Sequence, residues 1–285
     1  MAVGDSSKLV GRDMYLNHWK LTKSPFGSTV DAALAYPSVA LSEATARIDY
    51  LVNERRRLGV LLGERGLGKS VVLASAARAL RQRGAVATIV DTVGISPQEL
   101  IWRLANDWGG GPHPADEMFH LWRQVEDQLL HHQMLGKPTV LLVDDMGGAS
   151  DEVMQQLVRL ARLNLSPQAR WTLLLAAEPE QLNQFNESLL HLIDLRIDLF
   201  GWDKADCIGY VQDALVTAGR IDPVFTDEAL DRLAELSNGS PRSLAKLADF
   251  SLLGGAAAEV ERIDAGVIDS AFAEISWTPT ATATI

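Results

Sequence analysis

The stretch "LGVLLGERGLGKSVVLASAARALRQRG", residues 58–84, decides the fold. It opens with five apolar residues and passes through Gly63-Glu64-Arg65-Gly66-Leu67-Gly68-Lys69-Ser70. It then continues with apolar residues at helical spacing: Val72, Ala76 and Leu80 share a face, with Leu73 and Ala77 beside them. Gly84 stands where a helix C-terminal cap belongs. The reading is strand, tight loop, helix. Gly63, Gly68, Lys69 and Ser70 have the spacing G-x-x-x-x-G-K-[ST] at the start of a helix, where backbone N–H groups and the helix dipole converge on an anion. Gly66 and Gly68 let the backbone curl around phosphates, the Lys69 ammonium reaches the β and γ phosphates, and the Ser70 hydroxyl binds Mg²⁺. Gly63 to Val71 is therefore the expected ATP-binding segment. A dinucleotide-binding reading fails, because Val71 stands where G-x-G-x-x-G requires glycine.

Downstream of this unit, "AVATIV", "TVLLV", "WTLLLAA" and "LRIDL" alternate with helical stretches. Apolar runs without inside/outside alternation are expected of a parallel sheet covered on both faces, and helices supply its crossovers. The run "TVLLVDDM" ends in two carboxylates. Asp144 is expected to hold Mg²⁺ through water, and Asp145 to orient or deprotonate the attacking water. After Trp202 the pattern becomes helical throughout: Ile208, Val211 and Leu215 fall at helical spacing, Thr226 caps an acidic first turn, and Pro241 opens a further helix. The expected fold is α/β, a P-loop NTPase parallel sheet with flanking helices, followed by a small all-helical lid. The expected boundaries are a leader and helix packing on the ATPase core over 1–57, the core over 58–201, the lid over 202–277 and a disordered tail over 278–285.

Composition narrows the function classes. At 285 residues and 47% hydrophobic the chain is long enough for a large core. Its longest apolar runs fall short of the roughly 18 residues that span a bilayer, and the N-terminus lacks the apolar stretch of a signal peptide, so a cytoplasmic protein with no membrane span is expected. One cysteine, Cys207, excludes an internal disulfide and is expected to be ordinary packing, and no Cys/His spacing suits zinc. The pair His131 and His132 is expected on the solvated surface, as are Arg55, Arg56 and Arg57 at a helix end. Of the net charge of −11, residues from Gly201 onward hold −8, with six Lys or Arg against fourteen Asp or Glu. That acidity disfavours a nucleic-acid-binding lid.

The ordered set "MYLNHWKLTKSPFGSTVDAALAYPS", "GERGLGKS", "LLVDD", "LLLAAEPEQL", "LRIDL" and "GSPRSLAKLAD" resembles the AAA+ ATPases of the general secretion pathway protein A (ExeA-like) group from about Met14 to Ile275. The resemblance implies an ATP-hydrolysing core with a helical lid, self-assembly into an oligomer, and nucleotide at a subunit interface. It implies a sensor 1 role for Glu178, which probes the γ-phosphate at the end of the fourth strand. It implies a sensor 2 role for Arg242, reaching from the lid; the alternative is a surface arginine capping its own helix. Pro25, Phe26 and Tyr36 match a leader that wraps the base side of the nucleotide, or are plain packing.

The chain also departs from that pattern. Asp145 replaces the family's glutamate, a side chain shorter by about 1.5 Å, and misplacing a water by that much slows chemistry by roughly a hundredfold. Leu192 stands where the family carries an arginine finger, leaving Arg196, Arg162 and Arg170 as substitutes, and Leu41 replaces a leader histidine. Full-length secretion relatives add a membrane span and a cell-wall-binding segment that are not found here. The resemblance thus implies an ATPase that acts on a protein partner, such as secretion or pilus machinery. The alternatives are a slow-hydrolysing ATP-dependent binding switch, or a DNA-associated regulator of transposition or replication type. A small-molecule kinase is the least favoured reading.

Overall fold

The computed structural model describes residues 15–27, 35–163 and 169–276. The expected tail, 278–285, lies outside the described residues. The chain forms two compact units, one of Val30–Phe200 and one that joins Met1–Thr29 to Gly201–Ile285.

The first unit contains five parallel strands, β1 (Leu58–Leu62), β2 (Val86–Asp91), β3 (Thr139–Asp144), β4 (Trp171–Ala177) and β5 (Leu195–Asp198), in the spatial order β2-β3-β4-β1-β5. The runs read from sequence as strands are these strands. Their lack of polar alternation has a direct cause, since successive side chains enter opposite layers. Leu173, Leu175 and Ala177 of β4 pack with α3 (Pro97–Asp107), α4 (Met118–Met134) and α5 (Asp151–Ala161). Leu174 and Ala176, between them in sequence, pack with α1 (Val39–Asn53) and α2 (Lys69–Gln82). The helices start where the sequence offers caps: Ser38, Ser96 and Ser150 accept N–H bonds from Leu41, Glu99 and Val153. A short helix, α6 (Glu187–Leu190), precedes β5.

One expectation fails here. His131 is exposed, but His132 is buried with 6% of its surface accessible, and its Nδ1 lies 3.0 Å from the Thr139 hydroxyl at the start of β3. Neighbours on a helix point about 100° apart, so one of the pair can face solvent while the other faces the sheet. Burial, with the nearby His131 and Lys137 charges, pushes the His132 pKa below its ordinary 6.5.

The second unit holds α7 (Lys204–Thr217), α8 (Asp227–Ser237), α9 (Pro241–Ala257) and α10 (Ala265–Ile275). Thr226 caps α8 through Ala229 N–H, Pro241 occupies the first turn of α9, and Cys207 is buried in the shared core. The leader expected on the ATPase core is divided. α1 packs on the sheet, whereas Tyr15, Trp19, Leu21 and Phe26 are buried among the C-terminal helices. Trp19 Nε1 donates to the Leu252 carbonyl at 2.8 Å, and the Thr22 hydroxyl donates to the Ala218 carbonyl at 2.9 Å. Three aromatic side chains from the leader thus share one core with the C-terminal helices.

Candidate functional site

Parallel register brings the C-terminal ends of the strands to one edge of the sheet, with Leu62 beside Ala177 and Asp91 beside Asp144. Ligands of open parallel sheets bind at this edge. Because β4 lies between β1 and β3, Glu178, the first residue past β4, falls between the glycine loop and the Asp144 tip.

The glycine loop leaves β1 at Gly63, whose N–H donates to the Ala177 carbonyl at 3.2 Å. Gly66 and Gly68 adopt φ of 86° and 96°, left-handed conformations that side chains resist, and Gly68 forms the N-cap of α2. Having no side chain, Gly68 cannot bond the amides of the first turn, the groups that bind anions at a helix N-terminus. Lys69 Nζ folds back on the loop, donating to the carbonyls of Gly63 at 2.7 Å and Glu64 at 3.3 Å. Burial pushes the Lys69 pKa down, and the carboxylates of Glu178, Asp144, Asp145 and Glu64, in that order, draw it back up. Glu178, Asp144, Asp145 and Glu64 thus all act electrostatically on one ammonium, that of Lys69. Glu64 and Arg65 are exposed, while Leu67, Ser70 and Val71 are half-buried.

A strand that continued past Asp144 would point the two carboxylates to opposite faces. The chain instead turns at Asp145, with φ 52° and ψ 53°. Asp is one of the few non-glycine residues that enter this left-handed region, and even so the conformation is sparsely populated. Asp145 N–H donates to Asp144 Oδ1 at 2.9 Å. Among the described residues no group of three His, Cys, Asp or Glu could hold a metal. The donor set nevertheless suits Mg²⁺, which keeps its waters and takes one or two carboxylates together with substrate phosphates rather than a protein cage.

Two further residues meet here that the sequence did not single out. Thr92, fully buried, donates from Oγ1 to the Asp145 carbonyl at 2.6 Å. Gln181 Oε1 accepts from Glu178 N–H at 2.8 Å, and its amide lies where a Cβ on Gly147 would stand. Thr92 belongs to no spaced motif and is marked only as a polar residue one step past a strand tip, whereas Gln181 stands at the Glu-x-x-Gln spacing of a capping box begun by Glu178.

Other expected residues lie elsewhere. Arg242 is exposed on the first turn of α9, in the second unit. Phe26 packs 6.0 Å from Tyr210 inside that unit, consistent with the packing alternative. Tyr36 and Pro25 are half-buried. Leu192 packs against the sheet core, and Arg162 is exposed at the end of α5. Arg170 is half-buried just before β4, at the opposite end of the sheet from the glycine loop. Arg196 is exposed on the edge strand β5, and its Nε donates to both oxygens of Asp198 at 2.8 and 3.1 Å. Among the described residues no helix is long and apolar enough to cross a membrane.

Comparison with known proteins agrees with this fold. Residues 52–185 match the AAA domain family. The chain is distantly homologous to general secretion pathway protein A of Aeromonas hydrophila, 27% identical over 268 residues that make up 92% of this chain and 49% of the relative. The chain spans about half the length of that curated relative. The fold resembles that of Cdc6p from Pyrobaculum aerophilum, with a TM-score of 0.69 at 16% identity over 90% of this chain and 72% of the other. It also resembles the Aeropyrum pernix Orc1 protein in complex with DNA, at 0.62 and 15% over 85% and 67%. For the Thermotoga maritima RuvB Holliday junction branch migration motor the values are 0.56 and 13% over 82% and 68%. The architecture is the AAA fold, a five-stranded parallel sheet with flanking helices followed by C-terminal helices, and an AAA domain implies nucleotide binding.

Proposed function

From an AAA domain related to general secretion pathway protein A, we infer that the chain binds ATP with Mg²⁺ at Gly63 to Val71 and hydrolyses it to ADP and phosphate. The carrying observation is that one ammonium, Lys69, lies within the electrostatic reach of Glu178, Asp144 and Asp145 at the tips of adjacent strands. The loop amides and Lys69 hold the phosphates; binding requires Lys69 to exchange its own loop carbonyls for phosphate oxygens. Ser70 and Asp144 would hold Mg²⁺, which when bound neutralises charge on the phosphate oxygens. Asp145 orients water toward the γ-phosphate and accepts its proton, and Glu178 probes the γ-phosphate. Residues 58–201 form the ATPase module and 202–277 a lid from which Arg242 acts as sensor 2. Nucleotide state is coupled to self-assembly and to action on a protein partner, with secretion machinery the class favoured by the homology. The test is Lys69→Ala, which lowers ATP affinity and turnover by about tenfold or more. Parent-like binding in an equilibrium titration with a fluorescent ATP analogue would overturn the assignment.

A second reading is favoured by the shorter Asp145 and by the pairing of Arg196 with Asp198. In it, ATP orders the molecule as a binding switch and turnover is too slow to drive work.

A further inference from the structure

We propose that Thr92 is a positioning residue for ATP hydrolysis, its buried hydroxyl holding the left-handed turn that directs the Asp145 carboxylate back toward Lys69. The proposal rests on the reading of Asp145 as the residue that orients water. A left-handed, non-glycine residue persists only where its surroundings over-determine it. Here the Asp145 carbonyl is fixed by two donors, Thr92 Oγ1 at 2.6 Å and Gly148 N–H at 2.9 Å. Thr92 N–H and Oγ1 also both reach the Asp144 carbonyl at 3.3 Å, so one residue past β2 grips the main chain of both the last residue of β3 and the residue after it.

Met146 anchors the turn to the core with its buried side chain, and the two glycines that follow are closely flanked. Gly147 has no side chain, and the Gln181 amide occupies the place where one would be. Gly148 is flanked by Val93, whose Cγ2 lies 2.9 Å from where a Cβ would stand. The turn is thus confined between the tips of β2 and β4, and Thr92 supplies it with a side-chain bond from the neighbouring strand. With none of its surface accessible, Thr92 cannot trade this bond for one to water. If the hydroxyl is removed, the Thr92 N–H bond to the Asp144 carbonyl and the glycine loop stay, while the Asp145 carbonyl loses its side-chain donor and the carboxylate its fixed direction.

The experiment uses the full chain and measures ATP affinity, kcat, KM and melting temperature for Thr92→Val, Thr92→Ala, Thr92→Ser and Asp145→Asn. T92V and T92A are expected to bind ATP within about twofold of the parent while kcat falls by about tenfold or more, because small displacements at a reacting centre are amplified in rate. T92S, which keeps the hydroxyl, restores kcat to within about threefold. In the D145N background T92V should cause no further loss, as expected of two residues that act as one unit. T92A removes the hydroxyl without adding a buried methyl beside two carbonyls, and it decides the matter if T92V does not fold. Parent-like kcat in T92A, or a loss of ATP affinity that parallels the loss of kcat, overturns the proposal. If D145N itself keeps full turnover, the Asp145 reading has failed, which is a different result from D145N losing turnover while T92A keeps it.

Discussion

Asp145 departs from the Asp-Glu pair of the resembling family at the same position where the backbone turns left-handed. Aspartate tolerates this left-handed region better than longer side chains do. A carboxylate that orients water and accepts its proton contributes typically about 10² to 10⁴ in rate. Asp145→Asn keeps the shape and the left-handed preference, so it should retain ATP and lose turnover by an amount in that range. Single-turnover hydrolysis beside equilibrium ATP binding checks this, and an unchanged rate would assign the work to another group.

At the scale of elements, α4 meets β3 through a neutral imidazole. The His132 pKa is depressed by burial below 6.5, so the folded state resists protonation while the unfolded chain accepts it. Stability from this group is therefore complete above the unfolded pKa of 6.5 and is lost as pH falls through the folded value, where the unfolded state binds more protons. The urea midpoint of the parent should fall between about pH 7 and about pH 5, and His132→Gln should lack that part of the slope. Identical slopes in the two proteins would show that the histidine is protonated in the fold without penalty.

For the molecule as a whole, the question is what closes the γ-phosphate side of the site. Leu192 serves the core, and Arg170 is half-buried at the far end of the sheet. Arg196 is the better finger candidate, because it stands exposed on an edge strand and its pair with Asp198 is a surface ion pair, worth about 0 to 1 kcal/mol, that a phosphate can displace. If copies assemble with Arg196 at the neighbour's site, turnover per subunit should rise with protein concentration as light scattering reports association. Arg196→Ala should abolish that rise with ATP binding intact; a trans arginine is worth about 10³ to 10⁵ in the best cases. Turnover that stays flat across the assembly range would favour the binding switch.

The residues alone determined the alternation of strand and helix, because a sheet buried on both faces needs unbroken apolar runs, and they determined the glycine loop, because its spacing is local. Thr226 and Pro241 likewise mark helix starts by chemistry confined to one turn. What tertiary structure decided depends on distance along the chain. Trp19 and Leu252 are joined by a hydrogen bond across 233 positions, so no local pattern could assign the leader to the C-terminal helices. Which of His131 and His132 faced the sheet depended on where α4 docked, a rotation that two adjacent polar residues do not encode. Thr92 reaches Asp145 only because β2 and β3 pair in parallel register, which brings residues 53 apart within one hydrogen bond.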